Sequence, residues 1–171
     1  MSWLDKFTPD RMEKEVGVYT AEFFKEMGID RVIFDIDNTI APYDKAKPDE
    51  KAVAYINSLK NAGIEVMFVS NNEKERVDIF NESLGLFAVH KAGKPGIKGI
   101  QACLAQSKNK GGAAFVGDQI FTDCLAARRA KLPCFLVDPI QPKETLFFKL
   151  KRIGEKPFVR RYKRKAAKGK L

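Results

Sequence analysis

Apolar residues fall in short runs along the chain: RVIFDI (31–36), EVMFVS (65–70), LFAV (86–89), AAFVG (113–117) and CFLV (134–137). Each run is rich in β-branched or aromatic residues and too short for a helix, so each predicts a buried strand. Between the runs the period changes. Residues 49–61 place Ala52, Val53, Ile56 and Leu59 on one helical face with Gly63 as a stop, and 73–84, 96–106 and 123–131 are also of helix length. The order β-α-β-α-β-α-β-α-β predicts a three-layer α/β fold, a mostly parallel five-stranded sheet with helices on both faces. Upstream, Glu22–Met27 read as a helix ended by Gly28, and Trp3, Leu4 and Phe7 are expected to pack on the core or on a partner. No internal repeat is present. The chain divides into an N-terminal segment (1–30), a core (31–142) and a C-terminal tail (143–171).

With 171 residues, 44% of them hydrophobic, the chain is long enough for one well-buried core and short for two. Cys103, Cys124 and Cys134 are odd in number and lack metal-ligand spacing, which fits a reducing compartment. There is no run of about 18 apolar residues, and MSWLDKF carries an acid where a signal peptide needs an apolar stretch. The expected location is cytoplasmic. Charge adds more, because it is lopsided. Residues 143–171 hold 12 Lys or Arg and 2 Glu, whereas the preceding 142 residues hold 19 bases and 20 acids, so the formal +9 resides in the tail.

The chemistry gathers at strand ends, where ligands of an open parallel sheet bind. The first strand delivers Asp35, Asp37 and Thr39; the second Ser70, Asn71 and Asn72; the segment after the third contains Lys94; the fourth ends at Gly117 and hands over Asp118, then Asp123. Clustered acids repel one another unless a hard cation joins them. Mg²⁺ takes few protein carboxylates and keeps sites for water and substrate phosphate oxygens. With Asp35 and Asp118 on the metal, a second oxygen of Asp35 is placed to attack phosphorus. Ser70 and Lys94 would neutralise the non-bridging oxygens, and Asp37 would protonate the leaving alkoxide and then activate water. Thr39, Asn71 and Asn72 complete the set as candidate substrate-binding groups.

In order and spacing, Asp35-Ile-Asp37-Asn38-Thr39, Ser70, Lys94 and Gly117-Asp118-x-x-x-x-Asp123 resemble the four motifs of the haloacid dehalogenase superfamily, over residues 31 to 140. The resemblance implies a Rossmann-like sheet, a phosphoaspartyl intermediate at Asp35, and Mg²⁺ held by Asp35, the backbone carbonyl of Asp37, and Asp118. Asp123 would support the metal's waters or the lysine. The dehalogenase branch lacks an acid at the place of Asp37, so phosphoryl transfer is favoured. More narrowly, DNTIAPYD, SNN, AGKP and GDQIFTD resemble the YqeG-type phosphatases of subclass IIIA, which are similar to mitochondrial phosphatidylglycerophosphate phosphatases. That similarity implies a lipid phosphate as substrate. Asp37 to Ser70 spans 33 positions and Ser70 to Lys94 spans 24, too few for a cap domain, so an open site and a large substrate are expected unless oligomerisation closes the site.

Each feature has a plainer reading. Asp35 and Asp37 could form a turn pair, Ser70 and Asn71 could cap the following helix, and Asp123 could be a helix-start acid. Lys91 and Lys98 compete with Lys94, which is preferred because Pro95 is expected to start the next helix. His90 and Cys124 read as structural. In the tail, TLFFKLKRI sets Leu146, Phe147, Leu150 and Ile153 on one face beside Lys149, Lys151 and Arg152. That is the pattern of a helix on an anionic membrane, which would make the protein peripheral at the inner face. The same face could dock on the sheet, and RRYKRKAAKGK could be a solvated end. RNA would also attract the basic run. The alternatives to a lipid phosphatase are a phosphatase of nucleotides, sugars or nucleic-acid ends, and an RNA- or assembly-binding protein with a secondary phosphatase site.

Overall fold

A computed structural model of the chain describes residues 3–141 and 146–167, with side chains at 4–141 and 153–167. The runs of the hydrophobic pattern become β2 (Ile29–Phe34), β3 (Glu65–Val69), β4 (Phe87–Val89), β5 (Gly112–Gly117) and β6 (Cys134–Val137). A sixth strand, β1 (Arg11–Glu13), corrects the expected count of five. It pairs parallel with β6 in the register Arg11↔Phe135, Met12↔Leu136, Glu13↔Val137. Three residues with a charge at each end carry too little apolar pattern to be read as a strand, and such charges are what protect an edge from further pairing. The sheet order is β1-β6-β5-β2-β3-β4, and every pairing is parallel.

Period-two alternation splits the core between the two faces of the sheet. Val32, Phe34, Phe68, Val116 and Phe135 pack with α1 (Ala21–Glu26), α2 (Glu50–Asn61) and α3 (Lys74–Asn81). Ile33, Met67, Val69, Phe115 and Leu136 face α4 (Lys98–Gln106), α5 (Leu125–Arg129) and α6 (Leu146–Ala166). This is the three-layer arrangement expected. Asp49 opens α2 by accepting the Ala52 N–H at 2.7 Å. Gly63 closes it in the left-handed region (φ +85°), which lets the Ile64 N–H reach back to the Leu59 carbonyl.

Helix boundaries differ from expectation where side chains intervene. Helix α3 stops at Asn81, because that side chain bonds both the N–H and the carbonyl of Leu86 and turns the chain into β4. Helix α4 starts at Lys98 rather than at Pro95, since Gly96 N–H first closes a turn on the Gly93 carbonyl at 2.7 Å. The helix expected at 123–131 begins earlier, as a π-helical turn over Ile120–Cys124 that runs into α5.

The C-terminal helix lies on the core. Phe158 and Val159 join the second apolar cluster, the Tyr162 hydroxyl accepts the Met12 N–H at 3.0 Å, and Lys165 and Arg161 pair with Asp5. Phe7 meets Phe121 and Phe158 at centroid distances of 5.7 and 5.0 Å. Ile153 is turned outward, 57% exposed. The side chains of Trp3, Leu146, Phe147, Lys149, Leu150, Lys151 and Arg152, for which packing or membrane roles were expected, lie outside the described residues. No helix among the described residues is long and apolar enough to cross a membrane.

Candidate active site

Strand β2 lies between β3 and β5, so the ends of all three strands meet where the sheet order reverses. Asp35 follows β2 directly, and its N–H still bonds the Val116 carbonyl of β5 at 2.9 Å, which fixes its backbone at the sheet edge. The chain then folds back on itself. Asn38 takes a positive φ of 64°, its N–H bonds the Ala41 carbonyl, and its side-chain oxygen accepts the Gln141 N–H. Asparagine is among the few residues that accept this conformation at low cost. The loop thereby presents Asp35 and Asp37 on different sides.

Asp35, Asp118 and Asp123 come together: one carboxylate oxygen from each lies within 4.8 Å of the others, and all three residues are buried. Lys94 enters this cluster with Nζ 2.7 Å from Asp35 Oδ1 and 2.8 Å from Asp123 Oδ1. Oδ1 of Asp35 also accepts the Ile36 N–H at 2.9 Å. Gly117 makes the approach of Asp123 feasible, since a Cβ there would lie 2.5 Å from Asp123 Cβ and Oδ2. Through Oδ2, Asp123 holds the N–H groups of Asp118 and Gln119 at 3.2 and 3.0 Å.

Lys94 pairs with two of these three carboxylates, and burial, helped by the charges of Asp123 and Asp118, pushes the Asp35 carboxyl up to about 8 against the opposing pull of Lys94. Burial alone would lower Lys94, but Asp123 and Asp35 hold it above the usual lysine range. Lys94 therefore stays charged while Asp35 tends to keep a proton. A divalent cation among hard oxygen donors removes that need, so the residues present fit such an ion. The carboxylate of Asp37 is turned elsewhere, accepting from Asn72 Nδ2 and from Arg76 at 2.9 Å.

The remaining candidates surround this centre. Ser70 is buried, and its Oγ accepts the Asn72 N–H at 3.2 Å. Asn71 is committed to the Lys94 main chain, accepting its N–H at 2.7 Å and donating to its carbonyl at 3.0 Å. Thr39 is buried, and its hydroxyl has no hydrogen-bond partner among the described residues.

Two groups escaped the sequence reading. Arg76 ties Asp37 to the Ala46 carbonyl, 2.9 Å from each, and so links the acid to the flap at 42–48. The only hint in the sequence is its place one helical turn after Asn72. Glu155 reaches the turn after Asp118 from α6 and had no local signal at all.

Two acids after β2, a lysine and two further carboxylates gathered at the switch point of a parallel sheet fit the haloacid dehalogenase-like hydrolases, and the chain belongs to that family. Residues 2–131 match the family model described as haloacid dehalogenase-like hydrolase. The chain is also similar to the probable phosphatase YqeG of Bacillus subtilis (strain 168), at 31% identity over 160 residues that cover 93% of each chain. Family and relative together place it among haloacid dehalogenase-type phosphatases of the YqeG type. No solved structure matches.

Proposed function

We propose that the chain is a Mg²⁺-dependent phosphomonoester hydrolase that acts through a phosphoaspartyl intermediate at Asp35. The observation that carries the reading is the convergence of Asp35, Asp118 and Asp123 around Lys94. Bound by Asp35, Asp118 and the Asp37 carbonyl, with Asp123 in support, the ion would neutralise charge on the phosphoryl group. Asp35 attacks phosphorus with a carboxylate oxygen, forming an acyl phosphate as the ester P–O bond breaks. Asp37, steadied by Asn72 and Arg76, gives its proton to the leaving alkoxide. It then takes a proton from water, which attacks the acyl phosphate, releases phosphate and restores Asp35. Lys94 and Ser70 hold the non-bridging oxygens. Asn71 keeps Lys94 in place through its main chain.

For the substrate we favour a large, exposed phosphomonoester, with a lipid phosphate such as phosphatidylglycerophosphate first. Two features support this. Between the ends of β2 and β4 the chain inserts only the flap, α2, β3 and α3, so no cap domain is inserted there. On α6, Lys156, Arg160, Lys163 and Arg164 are exposed together with Ile153, a cationic and partly apolar face suited to an anionic membrane surface. The deciding experiment is turnover of p-nitrophenyl phosphate, nucleotides, sugar phosphates, 5′- and 3′-phosphorylated oligonucleotides and phosphatidylglycerophosphate micelles, with Mg²⁺ and with EDTA. We expect Mg²⁺-dependent release of phosphate that is fastest on the micelles and absent in Asp35→Asn. Full activity in that variant overturns the mechanism, and preference for a soluble ester overturns the lipid assignment.

A further inference from the structure

Five acidic residues are buried among the described residues, and four of them, Asp35, Asp37, Asp118 and Asp123, belong to the site. The fifth is Glu155 on α6, only 3% exposed. Its Oε1 accepts the N–H of Ile120 at 2.9 Å and that of Phe121 at 3.4 Å. The two preceding N–H groups, of Asp118 and Gln119, are held by Asp123 Oδ2. Four consecutive backbone donors, 118 to 121, are thus divided between two carboxylates, one inside the site and one brought from 35 residues away. A helical segment starting here leaves its first N–H groups without acceptors of its own, and a carboxylate is the acceptor its positive end favours. The helix comes close enough to serve because Gly154 faces the turn: a Cβ there would lie 3.2 Å from the Phe121 ring.

We propose that Glu155 is a positioning residue of the active site: by holding the Ile120 and Phe121 N–H groups it fixes the turn that aims Asp118 and Asp123 at Asp35. The inference rests on the metal-dependent reading above for its consequence, weaker Mg²⁺ binding, and on the turn alone for its geometry. Helix α6 is also held by Phe158 on Phe7 and on Phe121 of the turn itself, and away from the turn by Tyr162 on Met12 and by Asp5 with Arg161 and Lys165. Loss of the Glu155 carboxylate therefore frees the turn without undocking the helix.

The test uses the full chain and compares Glu155→Ala, Glu155→Gln and Tyr162→Phe. Tyr162→Phe loosens the same helix at a point remote from the turn. Amide hydrogen exchange over 118–124 is measured without metal, Mg²⁺ affinity by calorimetry, and kcat and KM on p-nitrophenyl phosphate with Mg²⁺. Glu155→Ala is expected to speed exchange of the turn at least tenfold, raise the Mg²⁺ Kd about tenfold and lower kcat with little change in KM. Glu155→Gln keeps an acceptor oxygen and should recover most of all three. Tyr162→Phe should lower Tm and leave turn exchange and Mg²⁺ Kd unchanged. Unchanged turn exchange in Glu155→Ala, or equal effects from Tyr162→Phe, overturns the proposal. Should Glu155→Ala fail to fold, Glu155→Asp, one methylene short of the turn, takes its place with the same expected and overturning results. A wild-type chain that binds no Mg²⁺ overturns the metal-dependent reading instead, and exchange of the turn still decides the role of Glu155.

Discussion

Asp35 and Asp37 stand one residue apart, yet one shares Lys94 with Asp123 and the other is gripped by Asn72 and Arg76. Different environments allow like side chains to do different work. Asp37→Asn is expected to slow turnover by roughly 10²–10⁴-fold with Mg²⁺ Kd nearly unchanged, whereas Asp118→Asn should weaken the metal itself; calorimetry on both variants separates the roles. The raised Asp35 carboxyl makes a second prediction. In metal-free protein it titrates near 8, against an ordinary value of 3.8. The folded chain therefore binds more protons than the unfolded chain between those values. Its contribution to stability is full below about pH 4 and is lost as pH rises towards 8. Urea titrations across that range should show declining stability without metal, and a flatter profile both in Asp35→Asn and with Mg²⁺ present. The sequence made Asp35, Ser70 and Asp118 legible because each directly follows an apolar run, whereas Lys94 was preferred over Lys91 and Lys98 for a helix start at Pro95 that lies instead at Lys98. Arg76 and Glu155 were not legible, since their partners at Asp37 and Ile120 are chosen by how helices land on the sheet.

At the level of elements, the reach of the β5 end depends on a missing side chain. Gly117→Ala would set a methyl 2.5 Å from Asp123, a crowding that costs about 1–3 kcal/mol in a packed interior. A lower urea midpoint together with weakened Mg²⁺ binding is the expected pair of outcomes, and loss of neither would mean that the turn relaxes freely. The same scale shows where hydrophobic periodicity stops informing. It placed five strands and the helices between them. It could not place the start of α4, which is delayed by the Gly93–Gly96 turn, or the π-helical turn at Ile120–Cys124, which is shaped by carboxylates from Asp123 and Glu155. In α6 the exposed Ile153 lies away from the docked Glu155, Phe158, Val159 and Tyr162, so the helix has a buried face besides the outward one that composition suggested.

For the whole molecule, the cationic outer face of α6 predicts salt-sensitive binding to anionic vesicles. Changing Lys156, Arg160, Lys163 and Arg164 together to Ala should remove about 4 kcal/mol, at roughly 1 kcal/mol per base, or close to 10³-fold in affinity. Turnover of p-nitrophenyl phosphate should persist. Higher ionic strength should mimic the variant in the unaltered chain; cosedimentation that ignores both changes would remove the membrane from the account. The edge strand β1 has another consequence, in the time the chain takes to be made. Arg11–Glu13 can join the sheet only through β6, more than 120 residues later, and Met12 meets Tyr162 after 150. At ribosomal speeds of about 5–20 residues per second, that is a wait on the order of 10 s. Throughout it the segment must neither collapse nor find another strand. The charges that hid β1 from the hydrophobic pattern are what let it wait in water.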